Sequence, residues 1–265
     1  MTLNEPRISC LMVTLDRLEL LKRSVACFCQ QSYGNKELII VPDGGREYRE
    51  QIVAHVESLN RSDIRVLQVE EKKCMGALHN LAIEQAAGDL LCIWDDDDLH
   101  HPHRLGLQSR LLLKKDAAAC LLADYLHYFT ATKELYWCDY TPLGGLPGSM
   151  MFRAGLRIFY PETGPRAQRG GDEAFQRQIS EQHQCALLAG LGFVYVYICH
   201  GGNLWNVEHH LQLVKRLALP LEFIRPKLEL LKANLGVQLE QELPFTLICR
   251  GGERIQFEAS AGAGH

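Results

Sequence analysis

Apolar positions in this chain fall into short runs that alternate with amphipathic stretches. Ile8-Ser9-Cys10-Leu11-Met12-Val13 is an apolar run inside a strand expected over 7–13, and 16–31 follow with leucines and cysteines at helical spacing. Leu38-Ile39-Ile40-Val41 marks a second strand, over 37–41, which Pro42-Asp43-Gly44-Gly45 ends; 47–59 then read as a helix and 64–69 as a third strand. A helix over 76–87 leads into Leu90-Leu91-Cys92-Ile93-Trp94, a strand that ends in Asp95. Repeated β-α units of this kind predict a mostly parallel sheet with helices on both faces.

The second half has a different texture. A helix is expected over 104–115, then strands over 117–128 and 135–138 flanking a turn at Thr130-Ala131-Thr132-Lys133. Gly144-Gly145-Leu146-Pro147-Gly148 and residues 162–171 have loop compositions, and the second loop is long enough to close over a substrate. A helix over 172–189, a strand over 193–199 and a helical pattern over 207–233, broken near Pro220, follow. Residues 245–249 and 254–257 read as a hairpin, and 259–265 as a frayed tail. The one shift in composition lies near 202–207, so the chain divides into 1–206 and an extension of 207–265.

Composition narrows the class. With 265 residues, 47% hydrophobic and 23% charged, the chain is a soluble globular α/β protein. No apolar run reaches membrane-spanning length and the N-terminus lacks the features of a signal peptide, so a cytoplasmic location is expected. A net charge of −4 argues against nucleic acid as a partner. The ten cysteines mostly occupy apolar segments, contain no Cys-x-x-Cys pair, and read as reduced core residues; Cys27 and Cys29 would point apart on a helix.

Asp95-Asp96-Asp97-Asp98 stands out, because an interior strand runs straight into four carboxylates. Like charges this close raise one another's pKa, and a hard divalent cation is what absorbs them. Ligands of open α/β sheets also gather at the carboxyl ends of the strands. Asp98 could cap the helix suggested by His101-Pro102-His103-Arg104-Leu105, but a cap needs one aspartate. His100, His101 and His103 read as solvated residues of that helix start rather than as zinc ligands.

These features resemble, in order and spacing, the donor half of a family 2 glycosyltransferase of the GT-A fold. The opening strand with Thr14-Leu15-Asp16-Arg17, the turn Gln30-Gln31-Ser32-Tyr33, the strand ending Val41-Pro42-Asp43-Gly44-Gly45, then Gly76, Asn80 and Ala86-Ala87-Gly88-Asp89 precede a D-x-D-D motif at Asp95 to Asp98. Gly148-Ser149-Met150-Met151-Phe152-Arg153 is similar to the family's strand beneath the acceptor, and Gly171-Asp172-Glu173-Ala174-Phe175 to the start of the helix that supplies the catalytic base. His200-Gly201-Gly202-Asn203-Leu204-Trp205 resembles a closing motif of bacterial members. Pro42, Cys74 and His79 depart from the pattern, replacing a frequent aspartate, asparagine and arginine, which leaves the nucleotide base open.

The resemblance implies a Rossmann-like, mostly parallel central sheet flanked by helices, with a nucleotide-sugar-binding half over 1–105, an acceptor half over 106–206, and a C-terminal helical and hairpin extension. It implies a metal-dependent, inverting transfer from a nucleotide sugar, with UDP the usual base, to a hydroxyl acceptor during polysaccharide, lipopolysaccharide or other glycoconjugate synthesis. Displacing a nucleoside diphosphate builds charge that a metal neutralises, and oxygen ligands favour Mn or Mg. Asp97 and Asp95 are then the metal ligands, and Thr14, Asp16, Arg17, Asp43, Asp95 and Asp96 line the nucleotide-sugar pocket, although turn chemistry alone would explain Asp43-Gly44-Gly45. Asp172 is the expected base, with Glu173 its rival and an N-cap its plainer role. His200 could ligate the metal, meet the diphosphate or bond within the core; Trp205 is more simply an apolar anchor. The alternatives are a degenerate nucleotide-sugar-binding module and a nucleotidyltransferase, which should carry a glycine-rich basic loop that is not seen. The amphipathic pattern beyond 207 suits packing on the main body or a homodimer better than peripheral membrane contact.

Overall fold

The computed structural model describes residues 5–69 and 71–258. Its strands are β1 (Ile8–Thr14), β2 (Lys36–Pro42), β3 (Ile64–Val66), β4 (Leu90–Ile93), β5 (Leu99–His100), β6 (Ala119–Leu122), β7 (Asp124–Phe129), β8 (Glu134–Asp139), β9 (Leu146–Arg153), β10 (Cys185–Leu188), β11 (Tyr195–Cys199), β12 (Phe245–Ile248) and β13 (Arg254–Phe257). The helices are α1 (Leu18–Cys29), α2 (Arg46–Ser58), α3 (Met75–Gln85), α4 (Arg104–Lys114), α5 (Gly171–Gln182), α6 (Val207–Leu217), α7 (Leu221–Ile224) and α8 (Leu228–Leu239).

The central sheet has the order β10-β6-β9-β4-β1-β2-β3, and all of its pairings are parallel except those of β9. Alternate residues of β1 serve two cores. Ile8, Cys10 and Met12 join one buried cluster, while Leu11 and Val13 join the other, and Leu38, Ile40 and Ile39, Val41 divide in the same way. A strand covered on both faces has no polar side, which is why these segments read as continuous apolar runs. The mixed α/β architecture with a mostly parallel central sheet is the one expected from the sequence.

A second sheet, β13-β12-β8-β7-β11-β5, packs beside the first. The expected single strand over 117–128 is two strands that part at Ala123, whose N–H bonds Leu188 O in the first sheet while its carbonyl accepts from Tyr140. The helix expected over 172–189 stops at Gln182; the apolar run Cys185-Ala186-Leu187-Leu188 instead pairs with β6 at the sheet edge. Leu146, read as loop, already belongs to β9, and the third strand ends at Val66 rather than 69. The C-terminal hairpin is present as β12 and β13, with β12 parallel to β8. Val214, Leu217, Leu231 and Leu235 join Trp137, Phe245 and Leu247 in the larger core, so the extension packs on the second sheet. The expected tail over 259–265 lies outside the described residues. All ten cysteines are free, and most are buried.

At the amino-terminal end of the central sheet one carboxylate is fully enclosed. Glu37 accepts from Ser9 Oγ (2.6 Å) and Ala87 N (2.9 Å), and pairs with Arg7 (3.0 Å) and Arg65 (3.5 Å).

Candidate functional site

The carboxyl ends of β1, β2 and β4 lie side by side and carry Thr14, Asp43 and the aspartates. Asp43 N–H donates to Thr14 O (2.8 Å), which locks the two turns together, and Thr14 Oγ1 shares a 2.5 Å hydrogen bond with the Tyr48 hydroxyl. Asp16 takes a left-handed backbone at φ 47° and lines an open groove of about 420 Å³ with Arg17, Leu18, His200 and Gly202. A neighbouring opening lies between Asp16, Tyr48 and Gln51. Both flank the aspartate cluster rather than cover it, which suits a ligand that reaches the carboxylates from the side. Burial pushes the Asp43 carboxyl up, and Asp16 adds to this against the pull of Lys72.

The four aspartates are held in four different ways. Asp97 Oδ2 receives Arg17 Nη1 at 2.5 Å and His200 Nε2 at 3.2 Å. Burial works to raise its pKa, but the His200 hydrogen bond and the Arg17 charge outweigh it and hold Asp97 below the usual range. Asp96 Oδ1 lies 3.1 Å from Arg17 Nη2 while its Oδ2 is buried without a partner, and burial with the Asp97 charge pushes this group to about 7. Asp98 does not cap a helix, since the residue preceding α4 is His103. It is fully buried, accepts from Ile198 N–H (2.9 Å) and meets the Tyr195 hydroxyl.

That hydroxyl also lies 3.0 Å from Asp95 Oδ2. One phenolic hydrogen points well at only one of two carboxylates at a time, which disfavours ionisation of both. The directions agree: burial raises both well above the usual range, Asp172 and Asp97 adding to Asp95, Asp97 and Asp95 to Asp98. Of the four, only Asp97 is held below the usual range.

Beneath it lies a cation that the sequence did not advertise. Arg104 is fully buried, stacks between Trp94 (5.2 Å) and Tyr195 (4.9 Å), and donates to His100 Nδ1, Ile93 O and Ser149 O. His100 and His101, expected in solvent, are buried at 1% and 5% exposure, because β5 pairs with β11 at the edge of the second sheet and packs His100 against Trp94 and Tyr195 and His101 against Phe193. Only His103 of the three is exposed.

Across the cluster, β9 approaches so closely that a Cβ on Gly148 would stand 2.7 Å from Asp95 Oδ2. Asp172, in the first turn of α5, is near enough to raise the Asp95 pKa. It does not act as the N-cap, which is Gly170 at φ 71°. Its rival Glu173 is exposed and lies 3.8 Å from Arg166. Gly202 N–H donates to His200 Nδ1 (3.3 Å), which puts the imidazole proton on Nε2, facing Asp97. Trp205 is half-buried, stacked on His209 and under the Arg169 guanidinium. The structure therefore brings Thr14, Arg17, Asp95, Asp96, Asp97, Asp172 and His200 to one end of the sheet, with Asp16 and Asp43 on its rim. Sequence reasoning missed Tyr48, Tyr195 and Arg104, which are single residues without a motif around them.

The donor set suits a hard divalent cation, since carboxylate oxygens predominate and one buried Asp96 oxygen lacks any partner. Among the described residues no three His, Cys, Asp or Glu side chains are arranged to enclose a metal by themselves, so water or a ligand's oxygens would complete the shell. No helix among the described residues is long and apolar enough to cross a membrane.

Comparison with known proteins accords with this geometry. The sequence profile of glycosyl transferase family 2 matches residues 9–155, more than half of the chain. A protein of Escherichia coli (strain K12) described as a colanic acid biosynthesis glycosyl transferase, WcaA, is 35% identical over 104 residues, which are 39% of this chain and 37% of that one. The match thus spans little more than a third of that relative. Among solved structures, S. aureus TarS 1–349 superposes with a TM-score of 0.58 at 15% identity, over 89% of this chain and 77% of that one. The mannosyltransferase PcManGT of Pyrobaculum calidifontis, in complex with GDP-Man and Mn2+, gives 0.60 at 13% identity, over 86% and 69%. TarS 1–349 in complex with UDP-GlcNAc gives 0.60 at 14% identity, over 88% and 67%. These likenesses establish the GT-A arrangement of the fold.

Proposed function

The chain belongs to glycosyl transferase family 2, and from that premise we propose that it transfers a sugar from a nucleotide sugar to a hydroxyl acceptor with inversion at the anomeric carbon. One observation carries the reading: Asp172, in the first turn of α5, lies near enough to Asp95, just past β4, for its charge to help raise the Asp95 carboxyl. Thr14, Asp16, Arg17, Asp43 and Asp96 bind and orient the nucleotide, and Gly148 lets the Asp95 carboxylate lie against β9. Asp172 takes the acceptor's proton as its oxygen bonds to the anomeric carbon, while the bond to the diphosphate breaks and the nucleotide leaves with the electron pair. A divalent cation, Mn or Mg, would be held by Asp97 and Asp95 beside His200, and would neutralise charge on the leaving diphosphate.

A UDP-sugar is the donor in this reading, because one similar structure holds UDP-GlcNAc; another holds GDP-Man with Mn2+, so a guanine nucleotide is the rival. The name of the E. coli relative supports a role in building surface polysaccharide or another glycoconjugate. The protein works in the cytoplasm in this reading, with membrane contact at most peripheral.

Thermal unfolding with UDP, GDP and their sugar nucleotides, with and without Mn2+, tests the proposal. A ligand at a hundred times its dissociation constant adds about 2.7 kcal/mol, or roughly 5–10 °C for a chain of this size. The shift should need Mn2+ and vanish in Asp97→Ala. A folded protein that responds to none of these nucleotides overturns the donor reading, whereas a shift without transfer marks the degenerate binding module.

A further inference from the structure

We propose that Tyr160 is the positioning residue for Asp172, its hydroxyl holding one carboxylate oxygen so that the other faces the acceptor. This rests on the reading of Asp172 as the base. The Tyr160 hydroxyl donates to Asp172 Oδ1 at 2.8 Å. A single hydrogen bond of this kind fixes rotation of the carboxylate, and it leaves Oδ2 as the atom that can take a proton.

The ring that carries the hydroxyl is held on every side. Tyr160 is 3% exposed and stacks between His79 (4.4 Å, 13°) and Phe175 (4.3 Å, 12°), so it can turn only in its own plane. Its backbone is clamped as well: Tyr160 N–H donates to Asn80 Oδ1 (2.8 Å), and Asn80 Nδ2 donates to Tyr160 O (3.0 Å) and to Glu162 Oε1 (2.7 Å). The segment lies so close to α3 that a Cβ on Gly76 would stand 2.0 Å from Pro161 O. These contacts come from Asn80 and Gly76, and one stacking face comes from His79, all on the donor-side helix α3; Phe175 comes from α5 itself. The arrangement ties the acceptor-side base to the donor half.

The chemistry of the holders fits the task. Burial and the Asp172 charge push the Tyr160 hydroxyl well above its ordinary range, so it stays a donor. Burial lowers the His79 pKa, and a neutral imidazole can stack flat on a buried phenol without bringing a charge to compete for Asp172. His79 stands where the family frequently has an arginine, and Tyr160 lies on its face in this chain.

The test compares Tyr160→Phe, Asp172→Asn and the double variant, with Mn2+ present and with whichever of UDP-GlcNAc and GDP-mannose raises the melting temperature of the wild type more. Hydrolysis of that sugar nucleotide, with water in the acceptor's place, is the readout. Tyr160→Phe keeps the ring stack. It should lower kcat about 10- to 100-fold with donor KM and donor-induced melting shift unchanged, and the double variant should be no slower than Asp172→Asn alone. Wild-type kcat in Tyr160→Phe beside an inactive Asp172→Asn overturns the positioning role. A parallel change of kcat and donor KM does the same, since that is the mark of a merely structural ring. Hydrolysis that is unaffected by Asp172→Asn removes the base reading itself.

Discussion

The two ends of the central sheet treat buried carboxylates in opposite ways. At the amino-terminal end Glu37 is surrounded by two N–H or O–H donors and two guanidinium groups, and although burial works to raise its pKa, those partners leave it lowered. At the carboxyl-terminal end Asp96 and Asp97 share one arginine, Asp97 has one histidine, Asp95 and Asp98 share one tyrosine hydroxyl, Asp96 keeps an oxygen without a partner, and Asp95, Asp96 and Asp98 are all pushed up. A carboxylate whose needs are met by the fold is part of the structure; a cluster whose needs are not met is prepared for something that the fold does not supply.

The sharpest way to break the comparison is to damage the satisfied end. Glu37→Ala leaves the Ala87 N–H and Ser9 hydroxyl without their acceptor and Arg7 and Arg65 without their counter-charge. It should lower the unfolding free energy by about 3 kcal/mol, read by urea titration, while folded protein keeps its transfer rate. Glu37→Gln isolates the charge. Because the folded pKa lies below the unfolded one, this group stabilises the protein above its unfolded pKa of 4.5, and that contribution is lost as pH falls through the folded value. The wild type should therefore lose more stability than Glu37→Gln as the pH is lowered from about 5 to about 3. Equal losses would show that Glu37 is not held ionised by its neighbours.

At the unsatisfied end the expected damage is to chemistry. A methyl group on Gly148 would stand 2.7 Å from Asp95 Oδ2, and the cheapest relief is for Asp95 to turn away from Tyr195. Gly148→Ala should cut transfer about 100-fold, the usual result of displacing a reacting group by about 1 Å, with unfolding changed by less than about 1 kcal/mol. Wild-type kinetics in this variant would mean that Asp95 does not need its present orientation.

The same contrast explains what could be read in the sequence. The β-α alternation and the Asp95 to Asp98 cluster were legible because each is local: a strand covered on both faces must be apolar throughout, and the aspartates are adjacent. Tyr195 reaches Asp95 across 100 residues, and Arg104 is buried by Trp94 and Tyr195 from different elements, so neither has a local signature. His100 and His101 looked solvated beside Pro102, yet a two-residue strand pairing with β11 encloses them. Residues 185–188 satisfy helical and strand spacing alike, and only pairing with β6 decides between them. Asp172 was legible as a motif position, but its partner Tyr160 lies in a segment whose place depends on α3.

The smallest expected effect gives the finest test of the contrast. Asp98 is as deeply buried as Glu37, but an amide can take over all that it does: the side-chain oxygen can accept from Ile198 N–H, and the NH2 group can donate to the Tyr195 oxygen, whose own hydrogen then goes to Asp95. No hydrogen bond is lost, and the ionised form, which burial and two neighbouring aspartates oppose, is excluded. Asp98→Asn should therefore leave the unfolding free energy at neutral pH within about 1 kcal/mol of the wild type, on either side. A loss of about 3 kcal/mol, matching Glu37→Ala, would mean that the charge on Asp98 is itself structural. The two ends of the sheet would then differ in the number of their carboxylates and not in how the fold treats them.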